Sequence, residues 1–303
     1  MSKYRNYFLL FLAAFVWGVA FVSQSKGMEY MKPFTFTASR NILAVIALMP
    51  VIFYRRKKED NKNLNWSITI IAGVLCGIAL TAGSLFQQYG IVTTSVGKAG
   101  FITTLYIIFT PILGIFIGKR APFIVWISAV IAAFGMYLLC MNESFAISKG
   151  DIMVFLCAVS FAVHILLIDY FSPKTDGVII SAIQFFVCFA ICTVLAFVFD
   201  KPSVEQIKMG VVPILYAGFI SSGVGYTFQI VGQNGVNPTV AAIILSLESV
   251  IAAIAGVTAY KLGFLATDQS LSFRQVLGCV IVFAAVILVQ LPVEEKTKAI
   301  KFD

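Results

Sequence analysis

Four ionisable side chains stand inside long apolar stretches of this 303-residue sequence: Arg40, Lys98, His164 and Glu248. If these stretches cross a bilayer, a central charge costs about 2.5–3.5 kcal/mol even on insertion-based scales. Such residues are therefore candidates for a specific contact or function. At about 1.5 Å per helical residue, Glu248 lies about 15 Å from the start of its stretch at Pro238. That depth is near the middle of a hydrocarbon core about 30 Å thick.

Glu248 has a counterpart in the other half of the chain. Residues 78–114 and 220–256 align at an offset of 142, and ten of the 37 positions are identical. The alignment places Tyr106 opposite Glu248 at mid-depth. Glu248 is then a proton-coupling group or a partner for a cationic part of a substrate. The alternative is a protonated carboxyl that serves packing only, with Tyr106 as filling whose hydroxyl is satisfied.

The other ionisable residues also allow two interpretations each. Arg40 and Lys98 are predicted in the outer half of the membrane, where together they can attract a carboxylate or phosphate group. Alternatively, each anchors a helix end, with Arg40 extending to the interface. Lys98 lies in the small-residue run 97–100, which leaves room around its ammonium. His164 is either a hydrogen-bonded structural residue or a proton relay.

The elements that must position these residues are membrane-spanning helices. Sixty per cent of the residues are hydrophobic and 12% are charged, about half the charged fraction of a soluble domain, which is roughly 25%. Stretches of about 18 or more apolar residues predict spanning helices. The sequence thus predicts an all-α integral membrane protein with ten transmembrane helices, at 7–25, 34–54, 67–89, 95–118, 122–141, 150–170, 177–199, 209–233, 238–262 and 273–292.

The first stretch can also be compared with a signal peptide. Lys3 and Arg5 form a basic start, and residues 23–25 loosely fit a cleavage site. The apolar core from Tyr7 to Val22 is at the long limit for such a segment, and its removal would leave nine spans. We therefore expect an uncleaved first helix.

The distribution of Lys and Arg predicts the orientation. With the N-terminus inside, thirteen basic residues fall in cytoplasmic segments and eight in outer ones. The excess on one side predicts that both termini lie in the cytoplasm, and we expect the membrane to be the plasma membrane. Topology thus accounts for the formal charge of +8, and no soluble basic surface is left for a nucleic acid.

Five predicted spans precede the midpoint and five follow it. We expect a first repeat at 1–141, a second at 150–292 and a cytoplasmic tail at 293–303. Because each repeat has an odd number of spans, the two enter the membrane in opposite directions, as in transporters that bind substrate between inverted repeats. The repeated Gln87 and Gln229 are expected to make polar contacts between crossing helices.

The sequence lacks the motifs that several classes of protein need for their function. The six cysteines form no CxxC pair and there is one histidine, so neither a metal site nor a cofactor is expected. No GxxxxGK[ST], GxSxG or HExxH motif occurs, which argues against ATP coupling and against an intramembrane hydrolase. We therefore do not expect an enzyme.

Short motifs resemble one known family. Trp17-Gly18 followed by Arg40 resembles the opening of an EamA-type repeat, and the segments 98–101 and 110–120 resemble its fourth-helix signature. The segment 246–250, Ser-Leu-Glu-Ser-Val, is similar to its "LEPV" motif, with Ser249 where Pro is usual. A kink expected after Glu248 would then be absent. The resemblance covers nearly the whole chain and points to the drug/metabolite transporter superfamily.

This resemblance implies a basket of ten helices around a central cavity, with the fifth and tenth helices peripheral. It implies a permease for a small metabolite, often an amino acid, usually by efflux. The expected partners are that substrate, the lipid bilayer and a coupling proton or other ion; the oligomeric state stays open. The expected site residues are Glu248, Tyr106, Lys98, Trp17, His164 and Arg40. A flippase for a lipid-linked substrate on the same fold is the alternative.

Overall fold

The structure, a computed structural model, describes residues 3–58, 64–94, 96–119, 121–140, 148–265 and 271–290. This part of the chain is helical and contains no strand. Its helices are α1 (Lys3–Gly27), α2 (Pro33–Lys58), α3 (Trp66–Ile91), α4 (Val96–Thr104), α5 (Tyr106–Phe116), α6 (Phe123–Cys140), α7 (Lys149–Phe171), α8 (Gly177–Leu195), α9 (Val204–Met209), α10 (Val211–Leu215), α11 (Thr227–Gln233), α12 (Pro238–Leu245), α13 (Leu247–Lys261) and α14 (Phe273–Gln290). A 3-10 turn, Ser172–Lys174, follows α7, and the π-helical segments Ala196–Asp200 and Tyr216–Tyr226 extend α8 and α10.

Each of the ten predicted apolar stretches contains helix. Within the described residues, eight helical segments are long and apolar enough to cross a membrane. The apolar parts of α6 and α14, Phe123–Gly135 and Phe273–Val289, are shorter. The prediction of an all-α chain with many membrane-spanning helices is therefore confirmed. The predicted tail at 293–303 lies outside the described residues.

The outer surface of the described structure differs from that of a soluble protein. Large apolar side chains cover the outside, among them Phe8, Phe116 and Phe123. Charged and amide side chains, including Arg40 and Glu248, are buried inside. Apolar surface on this scale needs a lipid surrounding, because soluble monomers rarely expose large contiguous apolar patches. The chain is a multi-pass membrane protein.

Two of the predicted helices contain a one-residue break at which the backbone angles stay helical. The first break is at Leu105, between α4 and α5, and the second at Ser246, between α12 and α13. Next to each break a hydroxyl bonds to a carbonyl three residues earlier: Thr104 Oγ1 to Phe101 O at 2.9 Å, and Ser246 Oγ to Ile243 O at 2.7 Å. Such local bonds compete with helical ones, and the pairs correspond at the 142-residue offset.

The helices predicted at 95–118 and 238–262 each contain one segment long and apolar enough to span a membrane, Ala99–Phe116 and Pro238–Lys261. The second break lies two residues before Glu248, whereas the Pro of the related motif would stand one residue after it, in place of Ser249. Glu248 consequently sits in the first turn of α13. Interrupted helices at membrane depth are tolerated where they are buried in protein or line a cavity.

Aromatic side chains from the opposite half of the chain pack against two of the repeated glycines. A Cβ on Gly83 of α3 would lie 2.8 Å from Phe161 Cδ1 of α7, and one on Gly225 would lie 2.7 Å from Trp17 Nε1 of α1. Gly83 and Gly225 correspond at the 142-residue offset, and α3 packs on α7 as the segment Tyr216–Tyr226 packs on α1. Small residues let helices approach closely in membranes. The glycines thus set the position of two rings.

Gly225→Ala is expected to destabilise the protein by about 1–3 kcal/mol. Its thermal unfolding midpoint in detergent should therefore fall. The added methyl would displace the Trp17 indole from its hydrogen bond to Ser221 O, 3.2 Å long. Gly97→Ala is the matched control, since its Cβ meets no heavy atom within 4 Å and Ala favours helix. A Gly225→Ala protein that melts with the wild type would contradict the proposed packing.

Candidate functional site

A partly open cavity lies between the two halves of the chain, and the empty space between its lining atoms, including the part open to the surroundings, is about 460 Å³. Within the described residues, α6 and α14 pack on each other and contribute nothing to its wall. The cavity wall is formed by α1, α2, α3, α5, α7, the π-helical segment Tyr216–Tyr226, α11, α12 and α13. The lining side chains are Trp17, Phe21, Gln24, Arg40, Gln87, Tyr106, Phe161, His164, Ile165, Ser221, Tyr226, Gln229, Leu245 and Glu248.

The two residues that the repeat pairs are in direct contact in this cavity. The Tyr106 hydroxyl donates a hydrogen bond of 3.0 Å to Glu248 Oε1, and both side chains are buried. Each follows the break in its own span, so both lie about half-way along the spans Ala99–Phe116 and Pro238–Lys261. A Cβ on Gly18 would come within 2.8 Å of the Glu248 carbonyl, so only a glycine lets α1 pack this closely.

Arg40 is buried in the cavity wall and does not extend to a membrane interface. Its side chain is 3% exposed, which excludes the anchoring interpretation. Nη1 donates to Gln24 Oε1 at 3.3 Å, while Nε has no hydrogen-bond partner. The ion pairs among the described residues, Lys26–Glu29 and Lys119–Asp169, do not involve it. A buried guanidinium without a counter-charge is costly, so this site favours an anionic ligand group.

Aromatic rings form one wall of the cavity. The Trp17 and Tyr226 ring centroids are 4.5 Å apart at an angle of 52°. His164 and Phe185 each meet Tyr226 edge-on, at 5.9 Å and 5.8 Å. Trp17 is fixed further by its bond to Ser221 O. This wall offers a rigid apolar surface to part of a ligand.

The remaining predicted residues have different positions. His164 lines the cavity, and its Nε2 is 3.0 Å from Gln184 Oε1, as the structural interpretation expects. Lys98 belongs to α4, but its side chain lies outside the described part of the structure. Five of the six predicted residues, Arg40, Tyr106, Glu248, Trp17 and His164, therefore share one cavity.

The repeated glutamines are not equivalent in the structure. Gln87 Nε2 donates to Thr103 Oγ1 at 3.2 Å, which is the expected contact between neighbouring helices. Gln229 lines the cavity without a hydrogen bond in the described structure, and its Oε1 is buried. The residue that corresponds to Thr103 at the repeat offset is Leu245, which offers no hydroxyl.

Sequence reasoning did not select Gln24, Tyr226 or Gln229 for the site. A usable signal was present in part, because Trp17, Phe21 and Gln24 follow i, i+4, i+7 spacing and so share one helix face. Tyr226 and Gln229 are three residues apart at the junction of a π-helical segment with α11. A π-helix shifts the side-chain register, so the sequence does not show which face of this span points into the cavity.

The arrangement combines a cation, a carboxyl and aromatic surface in one buried space. In the described part of the cavity, His164 bonds to an amide rather than to a Ser or Cys. Bound ligands can be held by charge and by hydrogen bonds. The geometry suits binding of a small molecule that carries both an anionic and a cationic group.

Comparisons with known proteins agree with this architecture. The family model described as "EamA-like transporter family" matches twice, at residues 5–141 and 148–291. A protein named "Uncharacterized transporter" from Archaeoglobus fulgidus is 30% identical over 94% of this chain and 85% of its own length. "Uncharacterized transporter YoaV" from Bacillus subtilis is 19% identical over 90% of this chain and 92% of its own.

A solved crystal structure shares the fold. It superposes with a TM-score of 0.72 at 16% identity and covers 95% of this chain and 97% of the other. The names of the family and of both relatives are those of transporters rather than of enzymes. From the double match and its extent, the chain belongs to the EamA-like transporter family.

Proposed function

We propose that the protein is a secondary transporter that exports a small zwitterionic metabolite, of the amino-acid type, across the plasma membrane. The observation that carries this proposal is the buried cavity half-way along the spans. Among the described residues, Arg40 has no anionic partner and Glu248 has one donor, Tyr106. Arg40 would bind the carboxylate and Glu248 the ammonium, and Glu248 would release the ammonium when it takes up a coupling proton.

The proposed architecture has ten spans in two inverted repeats, 1–141 and 150–292, with both termini in the cytoplasm. The helices α6 and α14 are 18 residues long, which gives about 27 Å at 1.5 Å per residue and nearly spans the hydrocarbon core. They pack on each other, as the last helix of each repeat would across a two-fold axis. We count them as the fifth and tenth spans.

The proposed mechanism is alternating access around the cavity. The breaks at Leu105 and Ser246 lie beside Tyr106 and Glu248, and irregular backbone at mid-membrane is where transporters of this kind bind substrate. At one end of the bundle, Lys119 Nζ and Asp169 Oδ2 form an ion pair 2.6 Å long between the halves. Opening that end would separate this pair, while the cavity residues keep their contacts.

Transport by purified protein in proteoliposomes is the test of this function. The proteinogenic L-amino acids, each radiolabelled and assayed separately under an imposed pH gradient in either direction, should include at least one that crosses only in protein-containing vesicles. Outward movement would exceed inward movement at equal gradients. Movement of a fluorescent lipid reporter alone would support a flippase instead, and no protein-dependent flux of any amino acid would overturn the proposal.

A further inference from the structure

Two neutral polar side chains in the cavity have no hydrogen-bond partner. Tyr226 and Gln229 lie three residues apart, where residues share a helix face, and both line the cavity. Their side chains are 7% and 2% exposed. Neither the phenol nor the amide makes a hydrogen bond within the described structure, and Gln229 Oε1 is buried without a partner.

In the first half of the chain, the glutamine that corresponds to Gln229 has a hydrogen-bond partner. Gln87, the counterpart of Gln229, donates to Thr103 at 3.2 Å. In the second half Leu245 replaces that threonine and is itself part of the cavity wall. The same amide is therefore satisfied by the protein in one half and left open towards the cavity in the other.

Buried polar groups in folded proteins are bonded in the great majority of cases, and exceptions need an explanation. An unpaired amide in an apolar surrounding is unfavourable, but a ligand that supplies the missing donor and acceptor removes this penalty. Neither group carries a charge, so they would not select the ammonium or the carboxylate, for which Glu248 and Arg40 are present. What they match is a hydroxyl or a carboxamide.

We propose that Tyr226 and Gln229 form a specificity subsite for a neutral hydrogen-bonding group on the substrate. This inference rests on the proposed function and narrows its substrate class. The zwitterion carries a hydroxyl or carboxamide in its side chain, which donates to Gln229 Oε1 and meets the Tyr226 hydroxyl. The Trp17 ring, 4.5 Å from Tyr226, packs against the apolar part of that side chain.

Pairs of amino acids with nearly equal shape test the subsite. Threonine and valine, asparagine and leucine, and glutamine and methionine are compared as radiolabelled substrates of the proteoliposomes. The wild type is expected to transport the polar member of at least one pair about tenfold or more faster in kcat/KM, because a site built to bond a polar group discriminates against the analogue that lacks it. Gln229→Leu should remove this preference, and Tyr226→Phe should weaken it.

The controls separate failure of the subsite from failure of the function. Gln229→Leu must still transport the apolar member, which shows that it is folded. Gln87→Leu, the equivalent change in the first half, should keep the preference for the polar member whatever its total rate. Equal transport of all pair members by the wild type, or an unchanged preference in Gln229→Leu, would overturn the subsite alone. No transport of any member would overturn the proposed function on which it rests.

Discussion

Glu248→Gln is expected to reduce transport by about 100-fold or more, because losing one partner of a buried charged interaction costs about 2–5 kcal/mol. The side chain is 4% exposed and faces the cavity. Glutamine has nearly the same shape and keeps an oxygen that can accept the Tyr106 hydrogen bond, now 3.0 Å long. It cannot become an anion, so it can neither hold an ammonium group nor exchange a proton.

This loss would be measured as kcat/KM in proteoliposomes for the amino acid that the wild type transports fastest. Tyr106→Phe is the companion variant, since it removes the hydrogen bond but keeps the carboxyl and the ring. It should cost about tenfold or less, in the range of one neutral hydrogen bond of about 0.5–1.5 kcal/mol. If the Glu248→Gln variant transports as fast as the wild type, the carboxyl serves packing only and has no role in binding or coupling.

Arg40→Met is expected to weaken binding of carboxylate substrates strongly and, at the same time, to stabilise the substrate-free protein. The guanidinium is 3% exposed and makes one hydrogen bond, to Gln24 at 3.3 Å. Replacing a buried charge that lacks a counter-charge by an apolar group of similar volume is often stabilising, by about 1–4 kcal/mol where ion pairs have been replaced. The substrate carboxylate loses its bidentate partner, so its affinity should fall by about 100-fold.

Thermal unfolding in detergent, with and without the transported amino acid, would measure both effects. The wild type should melt at a higher temperature with substrate, whereas Arg40→Met should melt higher without it and show no further shift. Arg40→Lys keeps the charge but loses the planar fork, and should bind with intermediate affinity. Arg274→Met is a control, because Arg274 bonds to Leu138 O on α6 and lies outside the cavity wall. A lower melting temperature with normal transport in Arg40→Met would assign Arg40 a structural role.

The pairing of Tyr106 with Glu248 could be predicted because it depends only on position along the chain. Internal repetition gives the offset, and the rise per residue gives the depth of each side chain. In a repeat with a two-fold axis, equivalent positions at mid-depth come close to that axis and therefore to each other. The direct hydrogen bond, at a separation of 142 residues, is the contact that this geometry leads to.

The direction in which a side chain points around its helix was less predictable. Arg40 could extend to an interface or face inwards, and depth alone does not distinguish these outcomes. The choice is made by the neighbours of α2, where Gln24 supplies an acceptor and α8 and the π-helical segment cover the other faces. Likewise, Gln87 and Gln229 look equivalent in sequence, and only the packing of Thr103 and Leu245 against them makes one satisfied and the other open.

The sequence by itself determined that this is a helical membrane protein with an internal repeat and that an acid and a phenol meet at its centre. Those properties follow from hydrophobicity, periodicity and counting, which are local or one-dimensional. Only the tertiary structure decided that two spans break beside that pair, that Arg40 is buried without a counter-charge, and that Tyr226 and Gln229 remain unpaired. Each of these depends on which side chains from distant segments fill the space around a group, and that is set when the helices pack together.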